Sequence, residues 1–340
     1  MNTLVIFLIL LLSIPFSPIQ GLAASFFEGK TLRIVVGYSP GGGYDTYARL
    51  IARHMRKYIP GKPSIIVENM PGAGSLVCAN YIYKVAKPDG LTIGNFNGGL
   101  FMNQVLEQPG IEFDARKFLF VGAPSKDGSV YAFSRKSGIT SMEKWLSAKT
   151  PVKMGGLAAG SHVPDNVIRI LRAAIGVPVQ LVSGYKGTAD IRLAIEQGEI
   201  AGSSWGWSSL RATWHKALES GDVVVVLQAV PKPYSDLSSV PLAINYAKTD
   251  EARKLIEIGI YKPDTFQRAY VLPPNTPKDR AQIIIKAFSA TLQDRELLAE
   301  AEKARLDINY VSAEELKEAV NALFNLEKPL LAKLREILYK

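Results

Sequence analysis

A unit of apolar run, glycine-rich turn and amphipathic helix recurs four times along the chain, and this repeat most constrains the fold. The apolar runs are residues 32–37, 64–68, 91–95 and 152–155. The turns that follow them are residues 38–43, 69–74, 97–99 and 159–161. Strands that alternate with helices form mostly parallel sheets with helices on both faces. The sequence therefore predicts an α/β fold.

The four turns also predict where a ligand binds. In a parallel sheet every strand-to-helix turn lies at the carboxyl edge, where open α/β folds bind their ligands. Exposed backbone N–H groups and helix N-termini at that edge favour a negative charge. Glycine in any single turn can also simply permit a tight bend. Four such turns together favour a site for an anion.

Two segments are predicted to divide the chain into lobes. The apolar run 118–121 leads into residues 124–128, and the run 223–227 leads into the proline-containing segment 231–233. We therefore expect a discontinuous first lobe of residues 26–121 and 231–340, and a second lobe of residues 122–230. A chain of 340 residues is long enough for two domains. Two crossings between two α/β lobes are typical of a hinged cleft.

Residues 1–25 have the layout of a cleaved secretory signal peptide. The apolar run 4–12 is followed by small residues at 21–25, although no Lys or Arg precedes it. This run is too short to span a bilayer, which needs ~20 apolar residues. No cysteine lies near the predicted cleavage site at Ala23 or Ser25, which argues against a lipoprotein anchor. The sequence therefore predicts secretion.

Charge and composition argue against several classes of function. The net charge is +9, but Lys and Arg are spread among acidic residues without a basic run, so we expect no nucleic-acid partner. The single cysteine, Cys78, is at helical spacing from Tyr81 and Ile82 and is expected to be buried. No metal-ligand spacing and no dinucleotide motif is present in the sequence, so we expect neither a metal nor a cofactor.

One motif typical of a class of enzymes occurs in the sequence. Residues 202–206 read G-S-S-W-G and match the G-x-S-x-G nucleophile elbow of hydrolases. That fold requires an acid and then a histidine after the serine, but no acidic residue lies between Ser204 and His215. His54 and His162 precede the serine. We therefore expect no enzyme, and a secreted serine hydrolase using Ser204 is the alternative.

Five stretches resemble, in the same order, the receptors of tripartite tricarboxylate transporters, the Bug-type or TctC-like periplasmic solute-binding proteins. They are residues 38–50 (Y-S-P-G-G-G-Y-D-T-Y-A-R-L), 68–74 (E-N-M-P-G-A-G), 87–92 (K-P-D-G-L-T), 160–162 (G-S-H) and 185–187 (Y-K-G). Each motif is weak alone, and five in order are specific. The sequence departs from the commoner pattern between Pro241 and Tyr270 and at residues 204–207, so the identity of the ligand does not transfer.

The resemblance implies a two-lobed Venus-flytrap fold of the type II kind and a monomeric periplasmic receptor. Such a receptor passes a small-molecule carboxylate to a two-subunit membrane permease. The resemblance places the ligand between the first glycine turn and a turn of the second lobe. The residues it implies there are Ser39, Gly42, Gly43, Tyr44, Asp45, Gly160, Ser161 and His162. Further cleft candidates are Gly74, Ser75, Asn97, Lys186, Ser204 and Trp205.

Four of these candidates also have a structural interpretation. Asp45 and His162 can cap the helices that they begin. Trp205 can belong to the core, and Lys186 can be a solvated surface lysine.

We expect main-chain N–H groups, and not an arginine, to hold the carboxylate. The reason is that Arg49 and Arg53 lie inside their helix, and neither the first nor the fourth turn contains Arg or Lys.

Overall fold

Two five-stranded sheets form the framework of the molecule in a computed structural model that describes residues 26–158 and 160–339. The predicted signal peptide lies outside these residues. The first sheet has the order β2-β1-β3-β10-β4, with β1 (Thr31–Val36), β2 (Ser64–Asn69), β3 (Thr92–Asn95), β4 (Leu119–Gly122) and β10 (Tyr270–Leu272). The second sheet has the order β7-β6-β8-β5-β9, with β5 (Ser129–Ser134), β6 (Val152–Gly155), β7 (Val179–Val182), β8 (Gly202–Gly206) and β9 (Val223–Ala229).

The strands are connected and covered by helices, most of which are short. They are α1 (Gly43–Met55), α2 (Leu76–Lys84), α3 (Gly99–Val105), α4 (Met142–Leu146), α5 (Val167–Ile175), α6 (Thr188–Glu196), α7 (Trp207–Glu219), α8 (Asp250–Ile256), α9 (Lys262–Asp264), α10 (Lys278–Leu292), α11 (Arg295–Lys303), α12 (Ala313–Leu323) and α13 (Lys328–Tyr339). Helix α12 begins at an N-cap, because the Ser312 hydroxyl accepts a hydrogen bond from the Glu315 N–H at 3.1 Å.

Both faces of the first sheet are buried, as strand β1 shows. Its side chains alternate between the faces, so Val35 joins one apolar cluster while Ile34 and Val36 join another. Cys78 and Ile82 of α2 lie in the cluster with Val35. Residues of α1 and α10 lie in the other cluster. The predicted α/β fold with helices on both faces is therefore confirmed, and Cys78 is a buried free thiol.

In each sheet four strands run in one direction and one runs antiparallel, which agrees with the mostly parallel prediction. The antiparallel strands are β5 and β10. Strand β5 starts at Ser129, opposite Gly206 and Ala229 at the carboxyl ends of β8 and β9. Strand β10 starts at Tyr270, opposite Asn95 at the carboxyl end of β3. Strands β5 and β10 thus begin at the edge of their sheet where the neighbouring strands end. They therefore run antiparallel to those strands.

The chain after β9 contacts both halves of the molecule. Helix α12 packs on β4 of the first sheet, whereas α8 and α13 pack on α5, which belongs with the second sheet. Arg335 of α13 also donates a hydrogen bond to the Leu106 carbonyl, next to α3, at 3.1 Å. The lobe limits at residues 121 and 230 stay a prediction. The C-terminal helix itself spans the two halves.

Candidate functional site

The first glycine turn, between β1 and α1, is held by Asp45. Its Oδ2 accepts hydrogen bonds from the Gly41 N–H and from Arg49 Nε, both at 3.0 Å, and its Oδ1 accepts one from Asn69 Nδ2 at 3.0 Å. Burial raises the pKa of Asp45, but these hydrogen bonds and the Arg49 charge outweigh burial and leave the pKa lowered. Both carboxylate oxygens serve the turn, so the structure favours the structural interpretation of Asp45.

The fourth turn, between β6 and α5, is held by a second aspartate that the sequence analysis missed. Asp165 Oδ2 accepts a hydrogen bond from the Leu157 N–H at 2.6 Å, and its Oδ1 accepts one from the Ser183 hydroxyl at 2.8 Å. Burial raises the pKa of Asp165 to about 6 despite these bonds. The spacing between Asp165 and Arg169 repeats that between Asp45 and Arg49, and this spacing is the signal that was available in the sequence.

The first turn contacts the second half of the molecule directly. Ser39 donates from its N–H to the Lys186 carbonyl at 3.3 Å and from its hydroxyl to Asp190 Oδ2 at 3.0 Å. Arg192 Nη2 donates to the Gly41 carbonyl at 3.1 Å. These bonds join the two halves across the cleft, so the structure is a closed arrangement in which Ser39 serves closure.

A cavity of about 400 Å³ lies between the two halves, and we call it the cleft cavity. Residues 71–75 and Tyr38 line one side, and Leu157, Ala158 and residues 184–186 line the other. This volume is within the range of small-molecule sites. Three predicted residues, Gly74, Ser75 and Lys186, belong to its lining. No acidic side chain is among the lining residues, and Lys186, which is an exposed residue, is one of them.

Buried polar groups converge beside the cleft cavity. Burial raises the pKa of the Tyr38 hydroxyl to about 12, and the neighbouring polar groups of Ser75, Asn97 and Ser161 counteract this rise. Within the described part of the chain, Tyr38 Oη, Asn97 Nδ2 and Ser161 Oγ have no hydrogen-bond partner of ordinary geometry. Buried polar atoms are rarely left unpaired, so these groups are suited to bind water or a ligand.

A second, smaller cavity of about 20 Å³ lies next to the cleft cavity and shares Tyr38 and Leu157 with it. Four predicted residues, Gly42, Gly43, Tyr44 and Trp205, line it together with Gln267 and Arg268. We call this space the arginine pocket.

Arg268 lines this pocket but is not among the residues predicted from the sequence. Its Nη2 donates to Asp127 Oδ2 at 2.7 Å, and its guanidinium carbon lies 5.0 Å from the centre of the Tyr44 ring. Arg268 precedes β10, far along the chain from the first turn, and no local pattern marks it. Arg268 therefore adds an arginine beside the first turn, while the expectation that main-chain N–H groups hold the carboxylate stays a prediction.

His162 and Gly160 support the fourth turn and line neither cavity. His162 Nε2 lies 3.2 Å from Asp264 Oδ1 of α9, and both side chains are buried. Burial lowers the pKa of His162 to about 3 and raises that of Asp264 well above its ordinary value, so burial disfavours the charged form of both groups. The Gly160 carbonyl accepts a hydrogen bond from Asn103 Nδ2. His162 therefore bridges the fourth turn to α9, and its ligand role stays a prediction.

Ser204 does not occupy a nucleophile elbow. Residues 202–206 form strand β8, and Ser204 pairs with Tyr131 of β5 inside the sheet. Its hydroxyl is fully buried, and it has no hydrogen-bond partner among the residues described. An elbow requires an exposed serine at a strand-to-helix turn with a histidine in reach. The geometry lends no support to the hydrolase alternative.

One group of potential metal ligands stands apart from both cavities. Among the residues described, His54, Asp294 and Glu296 place donor atoms within 4.8 Å of one another. The Lys57 ammonium lies 2.6 Å from Asp294 and 2.7 Å from Glu296, so a cation already balances these carboxylates.

Over the described ranges, no helix is both long and apolar enough to cross a bilayer.

Sequence comparison finds two similar proteins, both named UPF0065 proteins. The chain is 40% identical over 70 residues to the UPF0065 protein in the gbd 5' region of Cupriavidus necator, an alignment of 21% of this chain and 20% of that protein. It is 25% identical over 187 residues to a UPF0065 protein of Bordetella pertussis, an alignment of 52% of this chain and 54% of that protein. The chain thus spans about half or less of the length of these curated relatives. No family model matches the chain.

Structure comparison finds the same fold in solved proteins that include a periplasmic binding protein. The periplasmic binding protein BugD superposes with a TM-score of 0.71 at 18% identity, over 91% of this chain and 97% of BugD. MatC of Rhodopseudomonas palustris with bound malate gives 0.70 at 19% identity, over 91% and 99% of the two chains. Rpa4515 of the same organism, with adipate, gives 0.71 at 18% identity, over 90% and 97%.

Proposed function

We infer that the chain belongs to the Bug/TctC-like family of periplasmic solute-binding proteins, and on that premise we propose that it captures a small organic carboxylate in its cleft cavity. The five motifs, the shared fold and the similarity to UPF0065 proteins support the family. The two-sheet architecture with two chain crossings supports the hinged cleft.

The observation that carries the proposal is the chemistry of the cleft cavity. Its lining has no carboxylate, includes the exposed Lys186, and borders buried polar groups that lack partners among the residues described. Helix α2 begins at its rim, where residues 73–75 lead into Leu76. Backbone N–H groups at a helix N-terminus favour an anion. A carboxylate can accept hydrogen bonds from all of these groups, whereas a cation would be repelled by Lys186 and by the N-terminus of α2.

The two solved structures with printed ligands agree with this ligand class. MatC holds malate and Rpa4515 holds adipate, and both molecules are carboxylates. We propose the same class for this chain, with the lobe limits at residues 121 and 230, a periplasmic location, a monomeric state and delivery to a two-subunit permease. A receptor of this kind binds its ligand without chemical conversion.

Thermal-shift and calorimetric titration against carboxylates, neutral sugars and amines tests the proposal. We expect a carboxylate to raise the melting temperature by mass action. Replacing the cation of the cavity, Lys186→Met, should weaken carboxylate binding about threefold to tenfold. Lys232→Met removes an exposed lysine outside the cavity and should leave the affinity unchanged.

Selective binding of a neutral sugar or an amine, without any carboxylate, would overturn the proposal. Ester or amide hydrolysis that is lost in Ser204→Ala would favour the hydrolase instead.

A further inference from the structure

Arg268 has hydrogen-bonding capacity that the protein does not use. Its side chain is buried, with 2% of its surface exposed. Nη2 donates to Asp127, but Nε and Nη1 have no hydrogen-bond partner among the residues described. The other oxygen of Asp127, Oδ1, accepts a hydrogen bond from the Ser208 N–H at 3.0 Å and none from Arg268 Nε or Nη1. A buried guanidinium with free N–H groups is costly unless an acceptor binds them.

Other residues that line the arginine pocket also supply hydrogen-bond donors. The indole N–H of Trp205, a residue with 1% exposure, also has no partner in the described part of the chain. Helix α1, which has 13 residues, begins at Gly43, and the Cβ position of Gly43 is 3.2 Å from Arg268 Nη1. The positive end of the α1 dipole therefore faces the same space. Gln267 Oε1 is the unpaired acceptor at the pocket, so the pocket is dominated by donors.

We propose that the arginine pocket binds a second acidic group of the ligand, so that the ligand is a dicarboxylate with one end in the cleft cavity and the other at Arg268. This inference rests on the proposed function. One carboxylate oxygen can accept several N–H groups at once, which suits the guanidinium and indole donors better than a hydroxyl does. Among the proposed contacts, the positive charge of Arg268 is the one that requires the second group of the ligand to be an anion.

The geometry of the two spaces fits a single ligand. The cleft cavity and the arginine pocket share Tyr38 and Leu157 as their common wall. The Tyr38 ring lies 4.6 Å from the Tyr44 ring, and the Tyr44 ring lies 5.0 Å from the Arg268 guanidinium carbon. The pocket volume of about 20 Å³ accommodates a group of about the size of one water molecule, and a carboxylate oxygen has that size.

A binding series with matched probes tests the inference. Succinate, glutarate and adipate are each compared by calorimetry with the monocarboxylate of the same carbon number, namely butanoate, pentanoate and hexanoate. For wild-type protein we expect at least one diacid to bind about tenfold or more tighter than its monoacid. In Asp127→Asn/Arg268→Gln, which removes both charges of the buried pair together, this ratio should fall to about one.

Two further variants keep the test independent of folding problems. Trp205→Phe removes the indole N–H while keeping an aromatic side chain, and it should lower the diacid preference about threefold. Arg268→Lys keeps a cation beside Asp127 but loses the planar fork, and it should lower the preference as well. Arg211→Gln is the control, because Arg211 pairs with Asp236 and Asp307 outside the arginine pocket. This control should bind the diacid as the wild type does.

The possible outcomes separate the two proposals. A diacid preference that survives in the Arg268 and Trp205 variants would mean that the pocket holds only water, and the inference would be wrong. Equal binding of monoacids and diacids by the wild type would also overturn it, while leaving carboxylate capture intact. If no carboxylate of any kind bound to the wild type, the proposed function itself would fail.

Discussion

The first and fourth turns are built on the same sequence spacing but differ in the pKa of their aspartate. Asp45 and Asp165 each hold a turn and are each followed four residues later by an arginine. Asp45 forms an ion pair with the half-exposed Arg49 at 3.0 Å. Asp165 has no exposed surface, and Nε of Arg169 is buried without a partner among the residues described. The comparison teaches that the depth of burial, and not the spacing, decides the charge of the anchoring carboxylate.

The two turns also differ in what they meet across the cleft. The first turn forms hydrogen bonds to residues 186–192 through Ser39 and the Gly41 carbonyl. The fourth turn instead packs closely against Gly74 through Ser161. Hydrogen bonds thus hold one side of the closed cleft, and close packing holds the other.

The largest expected effect is an opposite pH dependence of the two aspartates. The folded-state pKa of Asp165 is about 6, above the ordinary value of 3.8, so its contribution to stability falls as pH rises from about 4 to about 7. The pKa of Asp45 is lowered, so its contribution is present above about pH 4 and is lost as pH falls further. Asp165→Asn should therefore gain about 2 kcal/mol in stability relative to the wild type between pH 4 and pH 7.

Asp45→Asn should instead show a constant loss of about 2 kcal/mol from pH 5 to pH 7, because a charged acceptor is removed. Urea unfolding at four pH values measures both differences. The same pH slope for the two variants would show that the turns are electrostatically alike and would break the comparison.

An effect of comparable size is expected where the fourth turn meets the second. Gly74 has φ of +62°, and a Cβ there would lie 2.2 Å from Ser161 Oγ. Gly74→Ala should hold the cleft open and weaken carboxylate binding about 30-fold, or about 2 kcal/mol. Gly41→Ala is the matched control, since φ is +79° and the nearest atom would be 4.0 Å away.

Ser161→Gly added to Gly74→Ala removes the clash and should restore part of the affinity, because Ser161 Oγ is itself one of the polar groups beside the cleft cavity. If the double variant bound as weakly as Gly74→Ala, backbone strain at residue 74 would be the cause and the close packing would be irrelevant.

The smallest effect is expected for the polar side of the cleft. Ser39→Ala removes one hydrogen bond to Asp190 that forms on closure and should weaken binding about fivefold, or about 1 kcal/mol. Ser220→Ala removes a serine-to-aspartate bond, to Asp222, that lies outside both cavities, and it should not change the affinity. Equal losses in Ser39→Ala and Ser220→Ala, measured by calorimetry, would show that the first turn has no special part in closure.

The sequence by itself determined the local elements and the family resemblance. The predicted run 152–155 is strand β6, and the predicted run 32–37 differs from β1 by one residue at each end. Gly42, Gly43, Gly74 and Ser75 also line the two cavities as the turn pattern predicts. These features depend on side-chain periodicity and turn chemistry, which are short-range and therefore readable.

The tertiary structure alone decided which polar side chains are bonded to other protein groups and which keep unpaired donors or acceptors. Ser39, Asp45 and His162 are engaged by partners distant in sequence or by the turn itself, whereas Arg268 reaches the first turn from the far end of the chain. No periodicity marks such contacts, because they arise when two separately folded sheets meet at the cleft. The charge states of Asp165 and His162 follow from burial in the same way, since the cost of desolvation depends on everything packed around a group and not on its neighbours in sequence.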